Sequence, residues 1–259
     1  MRRIIVAISG GKSSAWCANW AIEKYGRDNV ILYFNDTKWE HPDLYRFLDD
    51  LSNYLDKGIT YDSDGRNPEQ LFIDNRALAN NRMPFCSRIL KAKRLQKYYK
   101  DGDILVFGIA INEIERGRRI VGIYQTVSVK TGKKCKIKLP LITERIMPED
   151  IDKFLQTIGI KEPLLYELGF SHNNCSGGCV RAGKKQWKRL YETLPKVYLD
   201  RERVENEMRV RVNKDIHFFK DETLEAFRLR IENKELSHYY DIKNENITTE
   251  CIGICDSME

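Results

Sequence analysis

The chain has 259 residues, of which 42% are hydrophobic, and its 44 Lys and Arg residues exceed its 38 Asp and Glu residues by a formal charge of +6. This composition excludes a membrane-spanning, collagen-like or disordered protein, and the length suits one large domain or a core domain with an appendage. The apolar run Ile4–Ile8 is too short for a signal peptide, so we expect a cytoplasmic protein with no membrane partner. The positive charge suits a phosphate-rich ligand or nucleic acid.

The first half of the chain alternates short apolar runs with amphipathic stretches, which predicts helices packed on a parallel sheet. In chain order, the pattern predicts a strand over residues 3–8, a helix over 14–25, a strand over 30–34, a helix over 41–55, an irregular segment over 62–84, a basic helix over 87–99 and a strand over 104–109. Further helices are expected over 152–158, 184–191 and 200–208, and the charged segment beyond residue 210 is expected to form helices that lie on the core.

These elements predict an α/β fold with a doubly wound, mostly parallel sheet of the Rossmann-like type. We expect residues 1–170 to form the nucleotide-binding domain. Residues 171–259 would form a helical C-terminal extension, packed on the same core and tied to it by a cysteine site.

A glycine-rich turn joins the first predicted strand to the first predicted helix. Its residues are Ser9, Gly10, Gly11, Lys12, Ser13 and Ser14. Glycines let the backbone approach a phosphate closely, a helix N-terminus favours an anion, and the lysine would neutralise phosphate charge. The turn ends like a Walker A loop, but that motif needs a glycine five residues before Gly11, where this chain has Val6. We therefore predict a phosphate-binding loop of another type, with an ordinary glycine-rich turn as the alternative.

Four of the seven cysteines form two close pairs, Cys175 with Cys179 and Cys251 with Cys255. Two such pairs fit a tetrahedral or cubane metal site, because each local turn aims two sulfur atoms at one centre. The basic residues that follow the first pair should lower the pKa of its thiols. On spacing alone, an iron–sulfur cluster, zinc and unconnected buried thiols all remain open.

The glycine-rich turn resembles the S-G-G-x-D-S pyrophosphate loop of the PP-loop (adenine nucleotide alpha hydrolase-like, or HUP-type) superfamily. This superfamily includes N-type ATP pyrophosphatases, tRNA thiolation enzymes and reductases of 3′-phosphoadenosine 5′-phosphosulfate (PAPS). Three later stretches follow in the order of its PAPS reductase-like branch: F-N-D-T with E-H-P at 34–42, P-F-C-S-R-I-L-K at 84–91, and G-I with N-E-I-E-R at 108–116. The P-L-I stretch at 140–142 is similar to the P-L segment of the same branch.

The resemblance assigns roles to individual residues. Those implied to bind the nucleotide or its phosphates are Ser9, Gly10, Gly11, Lys12, Ser13, Ser14, Asn35, Asp36, Thr37, Arg88, Lys91, Gly108 and Arg116, and those implied to meet the substrate are Glu40 and His41. Cys86 and Cys251 are implied to be catalytic thiols, although Cys86 also fits a core cysteine or a cluster ligand, and Cys251 also fits a metal ligand. The Pro that follows His41 also fits a simple helix start.

The sequence is most similar to PAPS reductase-like proteins of the phage and mobile-element type. The resemblance implies ATP or PAPS as the ligand and a [4Fe-4S] cluster on Cys175, Cys179, Cys251 and Cys255, with zinc as the alternative. It also makes Mg²⁺ a candidate cofactor, and nucleic acid or a sulfur-donor protein a candidate partner.

Three positions depart from the family pattern: Ser13 replaces the Asp of the loop, Ala110 stands where the family often has Arg, and Met147 stands where it often has Trp. Two functions therefore remain open. One is an enzyme of sulfur chemistry, either PAPS reductase-like or a nucleotide-activating sulfurtransferase. The other is a non-catalytic subunit of a modification or defence system that binds nucleotide or nucleic acid.

Overall fold

A computed structural model describes residues 2–236 of the chain. These residues contain five strands: β1 (Ile4–Ile8), β2 (Val30–Asn35), β3 (Ile59–Asp62), β4 (Ile104–Phe107) and β5 (Lys136–Lys138). All neighbouring strands pair in parallel, in the spatial order β3-β2-β1-β4-β5. The chain reverses its direction across the sheet between β1 and β4, and ligands bind α/β sheets outside the carboxyl ends of the strands at such a point.

Helices surround this sheet in the described part of the chain. They are α1 (Lys12–Tyr25), α2 (Pro42–Leu55), α3 (Pro68–Asn75), α4 (Phe85–Ser87), α5 (Lys93–Tyr98), α6 (Ile114–Thr131), α7 (Pro140–Thr143), α8 (Pro148–Thr157), α9 (Leu164–Glu167), α10 (Lys184–Thr193), α11 (Pro195–Val212) and α12 (Leu224–Glu232). A π-helical turn, Arg88–Ala92, joins α4 to α5, and a short 3₁₀ turn covers Cys175–Gly177. Within residues 2–236, none of the helices has the length and apolar character needed to span a membrane.

The two faces of the sheet are covered by different helices. Ile4, Val6 and Ile8 of β1 pack with side chains of α1, α2 and α8, whereas Ile5 and Ala7 pack with side chains of α5 and α6. Successive side chains of a strand point to opposite faces, so a strand that is covered on both sides is apolar at every position. The predicted doubly wound, parallel α/β fold is confirmed.

A third cluster of buried side chains joins the C-terminal helices to the rest of the molecule. Trp187, Tyr198 and Phe227, from α10, α11 and α12, pack together with Trp39 and Phe72 from the first part of the chain. The part of the chain after the last strand therefore forms helices, as expected. The division into domains at residue 170 stays a prediction.

The prediction of an irregular segment over residues 62–84 is correct for 63–67 and 76–84 but wrong for the residues between them, which form α3. The side chain of Asn67 accepts a hydrogen bond from the backbone N–H of Gln70 at 2.8 Å, and Pro68 occupies the first helical turn. Both are signals for a helix start. The sequence pattern also missed β3 and β5, which have four and three residues, and α6, in which glycines and β-branched residues obscure the helical period.

Candidate functional site

The loop between β1 and α1 is held in shape by its own serines. The Ser14 hydroxyl donates a hydrogen bond to the carbonyl of Gly11 at 2.8 Å and accepts one from the backbone N–H of Ser9 at 3.1 Å. The Ser9 hydroxyl accepts a hydrogen bond from the N–H of Gly11 at 3.3 Å. Because Gly11 is the N-cap of α1, no side chain at that position covers the first turn of the helix. The N-terminus of α1 therefore presents backbone N–H groups to an anion.

Two glycines let neighbouring segments approach this loop closely. Gly10 has a φ of +79°, and a Cβ atom there would lie 2.6 Å from Cγ of Leu44. A Cβ atom at Gly108 would lie 2.9 Å from the backbone carbon of Ser13 and from the backbone nitrogen of Ser14. The end of β4 thus packs directly against the loop, which is where the strand order places the ligand crevice.

Lys12 is directed toward α8 and the segment after it. Its Nζ atom lies 2.6 Å from Oδ1 of Asp152 and 3.0 Å from Oε2 of Glu162, and 4.7 Å from the ring centroid of Tyr166. Burial lowers the pKa of Lys12, but the hydrogen bonds to both carboxylates outweigh this effect and raise it overall. Its role in phosphate binding stays a prediction, and it requires Lys12 to exchange these carboxylates for phosphate.

A cavity at the carboxyl ends of β1 and β2 brings three predicted nucleotide-binding residues together. These are Ser9, Asn35 and Lys91, and the remaining lining residues are Ala7, Ile8, Tyr33, Phe34 and Leu95. The cavity adjoins the 9–14 loop through Ser9. Its wall combines aliphatic and aromatic side chains with the polar groups of these three residues.

The buried carboxylate of Glu40 joins three segments of the site. It accepts hydrogen bonds from the hydroxyl of Thr37 at 2.9 Å, from Nζ of Lys91 at 3.2 Å and from the backbone N–H of Cys175 at 2.6 Å. The side chains of Lys91 and Glu40 are only 8% and 1% exposed. Removing one partner of an ion pair this deeply buried strongly destabilises the folded protein. The residues predicted to meet nucleotide and substrate therefore hold the first cysteine pair in place.

The turn that carries Cys175 and Cys179 is docked on the phosphate loop and on the segment after β2. The side-chain amide of Asn173 donates a hydrogen bond to the carbonyl of Gly10 at 2.8 Å. The hydroxyl of Ser176 donates one to the carbonyl of Trp39 at 3.0 Å. Both Cys175 and Ser176 have a positive φ, of 48° and 53°. Two successive non-glycine residues in this region indicate strain that the surrounding contacts must offset.

Three thiols line one small cavity. Cys86, from the start of α4, faces it together with Cys175 and Cys179, and Lys91 and Arg181 also contribute to its wall. The hydrogen bond that the Cys175 thiol donates to Cys179, burial and the negative charge of Glu40 raise the pKa of Cys175 well above its usual value. The expectation that basic neighbours lower the thiol pKa is wrong for Cys175. One of those neighbours, Lys184, instead pairs with Asp221 at 2.7 Å.

The predicted four-cysteine metal site lies only half within the described residues. Cys251 and Cys255 fall outside them, and among residues 2–236 no three His, Cys, Asp or Glu side chains form a group that could hold a metal ion. What this part of the chain supplies is a pair of buried, hydrogen-bonded thiols and a third thiol on the same cavity. Thiols are soft donors that suit iron–sulfur clusters and zinc.

The remaining predicted residues lie around this centre. The ring of His41 caps α2 by accepting a hydrogen bond from the N–H of Asp43 at 3.1 Å, so the helix starts there as the alternative interpretation proposed. Asp36 accepts hydrogen bonds at 2.8 Å from the N–H of Lys38 and from the hydroxyl of Tyr45. The part of the chain that the structure describes gives neither residue a ligand role, so these roles stay predictions.

Arg88 and Lys91 both lie in the π-helical turn, and such turns often occur at functional sites. Arg116 forms a buried ion pair with Glu113 at 2.7 Å, at the start of α6. Burial lowers the pKa of the nearby His172 to about 4. The charges of Glu113 and Arg116 also act on this imidazole. His172 is therefore neutral at physiological pH.

Sequence reasoning missed three residues of the site, namely Trp39, Asn173 and Arg201. The guanidinium carbon of Arg201 lies 3.5 Å from the ring centroid of Trp39, whose carbonyl binds the cysteine turn. Asn173 stands two residues before Cys175, a predicted metal ligand, and this closeness in sequence indicates a place at the same site. The local pattern around Arg201 does not indicate burial, because α11 contains eight other charged residues.

The preformed loop at a helix N-terminus, the strand order and the adjoining cavity fit a nucleotide-binding protein of the PP-loop class. Comparison with known families is consistent with this conclusion. The family model described as the phosphoadenosine phosphosulfate reductase domain matches residues 3–194, which is more than two thirds of the chain. The chain belongs to this family, and the match supports a nucleotide-binding PP-loop protein of sulfur chemistry. Searches of curated proteins and of solved structures gave no match.

Proposed function

We propose that the chain binds PAPS or ATP on the 9–14 loop and carries out sulfur chemistry at the neighbouring cysteine cavity. The observation that supports this most directly is the continuity of the two sites. Lys91 lines both cavities, and Asn173 and Glu40 tie the cysteine turn to the phosphate loop and to the segment after β2. A thiol next to a bound nucleotide is the arrangement that group transfer to sulfur requires.

With PAPS, the reaction is reductive in the manner that the family name implies. A thiolate, for which Cys86 is the proposed residue and Cys251 the alternative if it does not bind metal, attacks the sulfur atom of the sulfate group. A sulfur–sulfur bond forms, and the bond from sulfur to the phosphate oxygen breaks. Adenosine 3′,5′-bisphosphate then leaves with the electron pair. The N–H groups at the start of α1 and the charge of Lys91 would stabilise the phosphate oxygens.

With ATP, the chain would act as a nucleotide-activating sulfurtransferase. Adenylation of an acceptor releases pyrophosphate, and AMP then becomes the leaving group that sulfur displaces. Mg²⁺ would accompany the triphosphate in this case. The two substrates are separated by their products, which are adenosine bisphosphate from PAPS, and AMP with pyrophosphate from ATP.

We further propose that Cys175 and Cys179, together with Cys251 and Cys255, hold a [4Fe-4S] cluster, with zinc as the alternative. The buried, adjacent thiols fit this donor set, and the buried cations Lys91 and Arg201 would balance its negative charge. When bound, a cluster would supply a site for electron transfer or for binding sulfur. Cys175→Ser should remove most of the metal.

The test uses the full-length protein, purified without oxygen. Iron and zinc are quantified, the visible spectrum is recorded, and the protein is incubated with PAPS or ATP in the presence of Mg²⁺ and a dithiol reductant. We expect bound metal and one of the two product sets, and Cys86→Ser should abolish product formation. Cys135→Ser is the matched control, because Cys135 is half-buried beside β5 and does not line the cavity. Absence of all products with metal-loaded protein would contradict the enzymatic proposal.

A non-catalytic function is the second candidate, and three observations favour it. Ser13 replaces the Asp of the family's loop, and Lys12 is held by two carboxylates. In addition, residues 117–138 contain seven Lys and Arg residues and no Asp or Glu, which suits contact with nucleic acid in a modification or defence system. Tight nucleotide binding without turnover, together with salt-dependent binding of DNA or RNA, would favour this function. A sulfur-donor protein is a further partner that we propose for the enzyme.

A further inference from the structure

A chain of four polar side chains leads from α5 to the cavity at the carboxyl ends of β1 and β2. Nε of Arg94, in α5, donates a hydrogen bond to Oδ2 of Asp62 at 3.1 Å, and Nη2 donates one to Oδ1. The hydroxyl of Tyr33 also donates to Oδ2 of Asp62. At the other end, Nδ2 of Asn35 lies 3.2 Å from the Tyr33 hydroxyl and donates to it. Of the four side chains, those of Tyr33 and Asn35 line the cavity.

The fold brings these side chains to one place. Tyr33 and Asn35 are two positions apart on β2, so their side chains point to the same face of the sheet, the one that α5 and α6 cover. Asp62 is the register partner of Asn35 at the end of β3. Arg94 precedes Leu95, which packs on this face from α5. The chain of hydrogen bonds is thus built from three elements that lie far apart in the sequence.

The carboxylate of Asp62 sets the direction of each hydrogen bond. Burial raises the pKa of Asp62, but the hydrogen bonds from Arg94 and Tyr33 outweigh this effect and lower it overall. An ionised carboxylate only accepts hydrogen bonds, so the single proton of the Tyr33 hydroxyl must point to Asp62. Burial and this bond raise the pKa of Tyr33, which keeps its hydroxyl protonated. The hydroxyl oxygen is then left to accept, and the group of Asn35 that can donate to it is the amide nitrogen.

The amide of Asn35 is therefore held in one orientation. Its two ends differ, because Nδ2 donates and Oδ1 accepts, and an amide without a fixed partner can exchange them by rotation. Here Nδ2 is bound to the Tyr33 hydroxyl. Among residues 2–236, none donates a hydrogen bond to Oδ1, and Asn35 is half-buried at the cavity. Oδ1 is the amide atom that remains for a bound molecule, which must supply a donor.

We propose that Oδ1 of Asn35 is a fixed hydrogen-bond acceptor for the nucleoside of the bound nucleotide, and that Tyr33 and Asp62 are the positioning residues that fix it. This inference rests on the nucleotide binding proposed above, and it adds a basis for ligand specificity. The donor on the ligand is either the amino group of adenine or a ribose hydroxyl. Hypoxanthine and guanine carry a carbonyl oxygen in place of that amino group, so a site that binds the amino group rejects both.

The test measures how the unsubstituted protein distinguishes three nucleotides. AMP is the reference, because PAPS and ATP both contain its adenosine 5′-phosphate unit. Inosine monophosphate (IMP) lacks the amino group, and 2′-deoxy-AMP lacks the ribose hydroxyl that PAPS and ATP share. Calorimetric titration of the full-length protein gives the three dissociation constants. We expect one analogue to bind about 10-fold more weakly than AMP, and the identity of that analogue names the donor.

Two substitutions act on the orientation of the amide rather than on the amide itself. Tyr33→Phe frees Asn35 to rotate and present either atom, so the difference between AMP and that analogue should largely disappear. Asp62→Asn reverses the bonds, because the new side chain accepts from Arg94 and donates to the Tyr33 oxygen, whose proton turns to Asn35. The preference for AMP should then be lost, and reversed if the donor is the amino group. Tyr98→Phe is the matched control and should keep the full difference, because the ring of Tyr98 lies 4.4 Å from that of Tyr33 but its hydroxyl is not part of the chain of bonds.

Unfolding in urea checks that each variant is folded. A purely structural role for Tyr33 would weaken the binding of all three nucleotides alike, so a difference that survives either substitution would overturn the inference. Equal binding of AMP, IMP and 2′-deoxy-AMP by the unsubstituted protein would also overturn it. If that protein binds none of PAPS, ATP and AMP, the proposed function fails together with this inference, whereas binding without discrimination refutes the inference alone.

Discussion

The phosphate loop and the cysteine turn lie side by side but are built in opposite ways. The hydrogen bonds that shape the 9–14 loop join residues at most five positions apart. The bonds that hold the cysteine turn join residues 135 and 163 positions apart, from Cys175 to Glu40 and from Asn173 to Gly10. The first element is specified by its own few residues. The second exists only when the rest of the molecule has folded around it.

The phosphate loop and the cysteine turn also differ in backbone strain. The phosphate loop places a glycine, Gly10, where φ is positive, so the conformation costs little. The cysteine turn places Cys175 and Ser176 in that region, at a cost of about 1–3 kcal/mol for each residue. We infer that the cysteine turn depends on its distant contacts, and that it should be the first part of the site to fail when those contacts are removed.

The largest expected effect follows from removing the carboxylate that holds the cysteine turn. Glu40→Ala removes the carboxylate that lies 3.2 Å from Nζ of buried Lys91 and releases the backbone N–H of Cys175. We expect the free energy of unfolding to fall by about 3–5 kcal/mol. Urea unfolding of the metal-free protein measures this loss.

The control for this prediction removes both charges. Glu40→Leu combined with Lys91→Met keeps apolar volume in the cavity wall and leaves no unpaired ion, so the double variant should be more stable than Glu40→Ala. If it is equally unstable, the ion pair does not account for the loss.

In the phosphate loop, the most sensitive single position is Gly10. Gly10→Ala forces a side chain into positive φ, at about 1–2 kcal/mol, and places its Cβ atom against Leu44, at about 1–3 kcal/mol more. We expect lower stability and loss of nucleotide binding, measured by urea unfolding and by calorimetric titration. Gly65→Ala is the control, since Gly65 also has a positive φ but nothing lies within 4 Å of a Cβ atom there. Equal losses in both variants would show that contact with Leu44 is unimportant.

The same contrast explains what could be predicted from the sequence. The first strand, the glycine-rich turn and the helix after it are specified by neighbouring residues, and together they led to the correct fold. The sequence does not relate Cys86 to Cys175 and Cys179, because no local signal connects residues that lie 89 positions apart, yet the three line one cavity. Arg201 has charged neighbours on both sides in the sequence, so only the packing of α11 reveals that it is buried.

The link between the two elements is the bond from Asn173 to Gly10. Asn173→Ala removes one buried hydrogen bond and leaves the Gly10 carbonyl without that donor, which should cost about 1–2 kcal/mol. Because this carbonyl belongs to the phosphate loop, nucleotide affinity should fall as well. Asn75→Ala is a matched control, since its amide also donates to a carbonyl, that of Leu71 at 2.7 Å, but Asn75 lines neither of the two cavities of the site. If only Asn75→Ala changed nucleotide affinity, the proposed link would be wrong.

The smallest effect on stability, and the sharpest on binding, is expected at Lys12. The side chains of Asp152 and Glu162 are 48% and 37% exposed, so replacing them together by Asn and Gln should change the free energy of unfolding by less than about 1 kcal/mol. The change removes two negative charges that compete with phosphate for Lys12, so nucleotide affinity should rise. In the variant that lacks both carboxylates, Lys12→Met should abolish the gain in nucleotide affinity. The two carboxylates compete with phosphate for the ammonium group of Lys12, so their removal has no such effect without that group. An increase that survives Lys12→Met would show that the carboxylates act on the nucleotide through general repulsion. The loop would then bind phosphate through its backbone N–H groups alone.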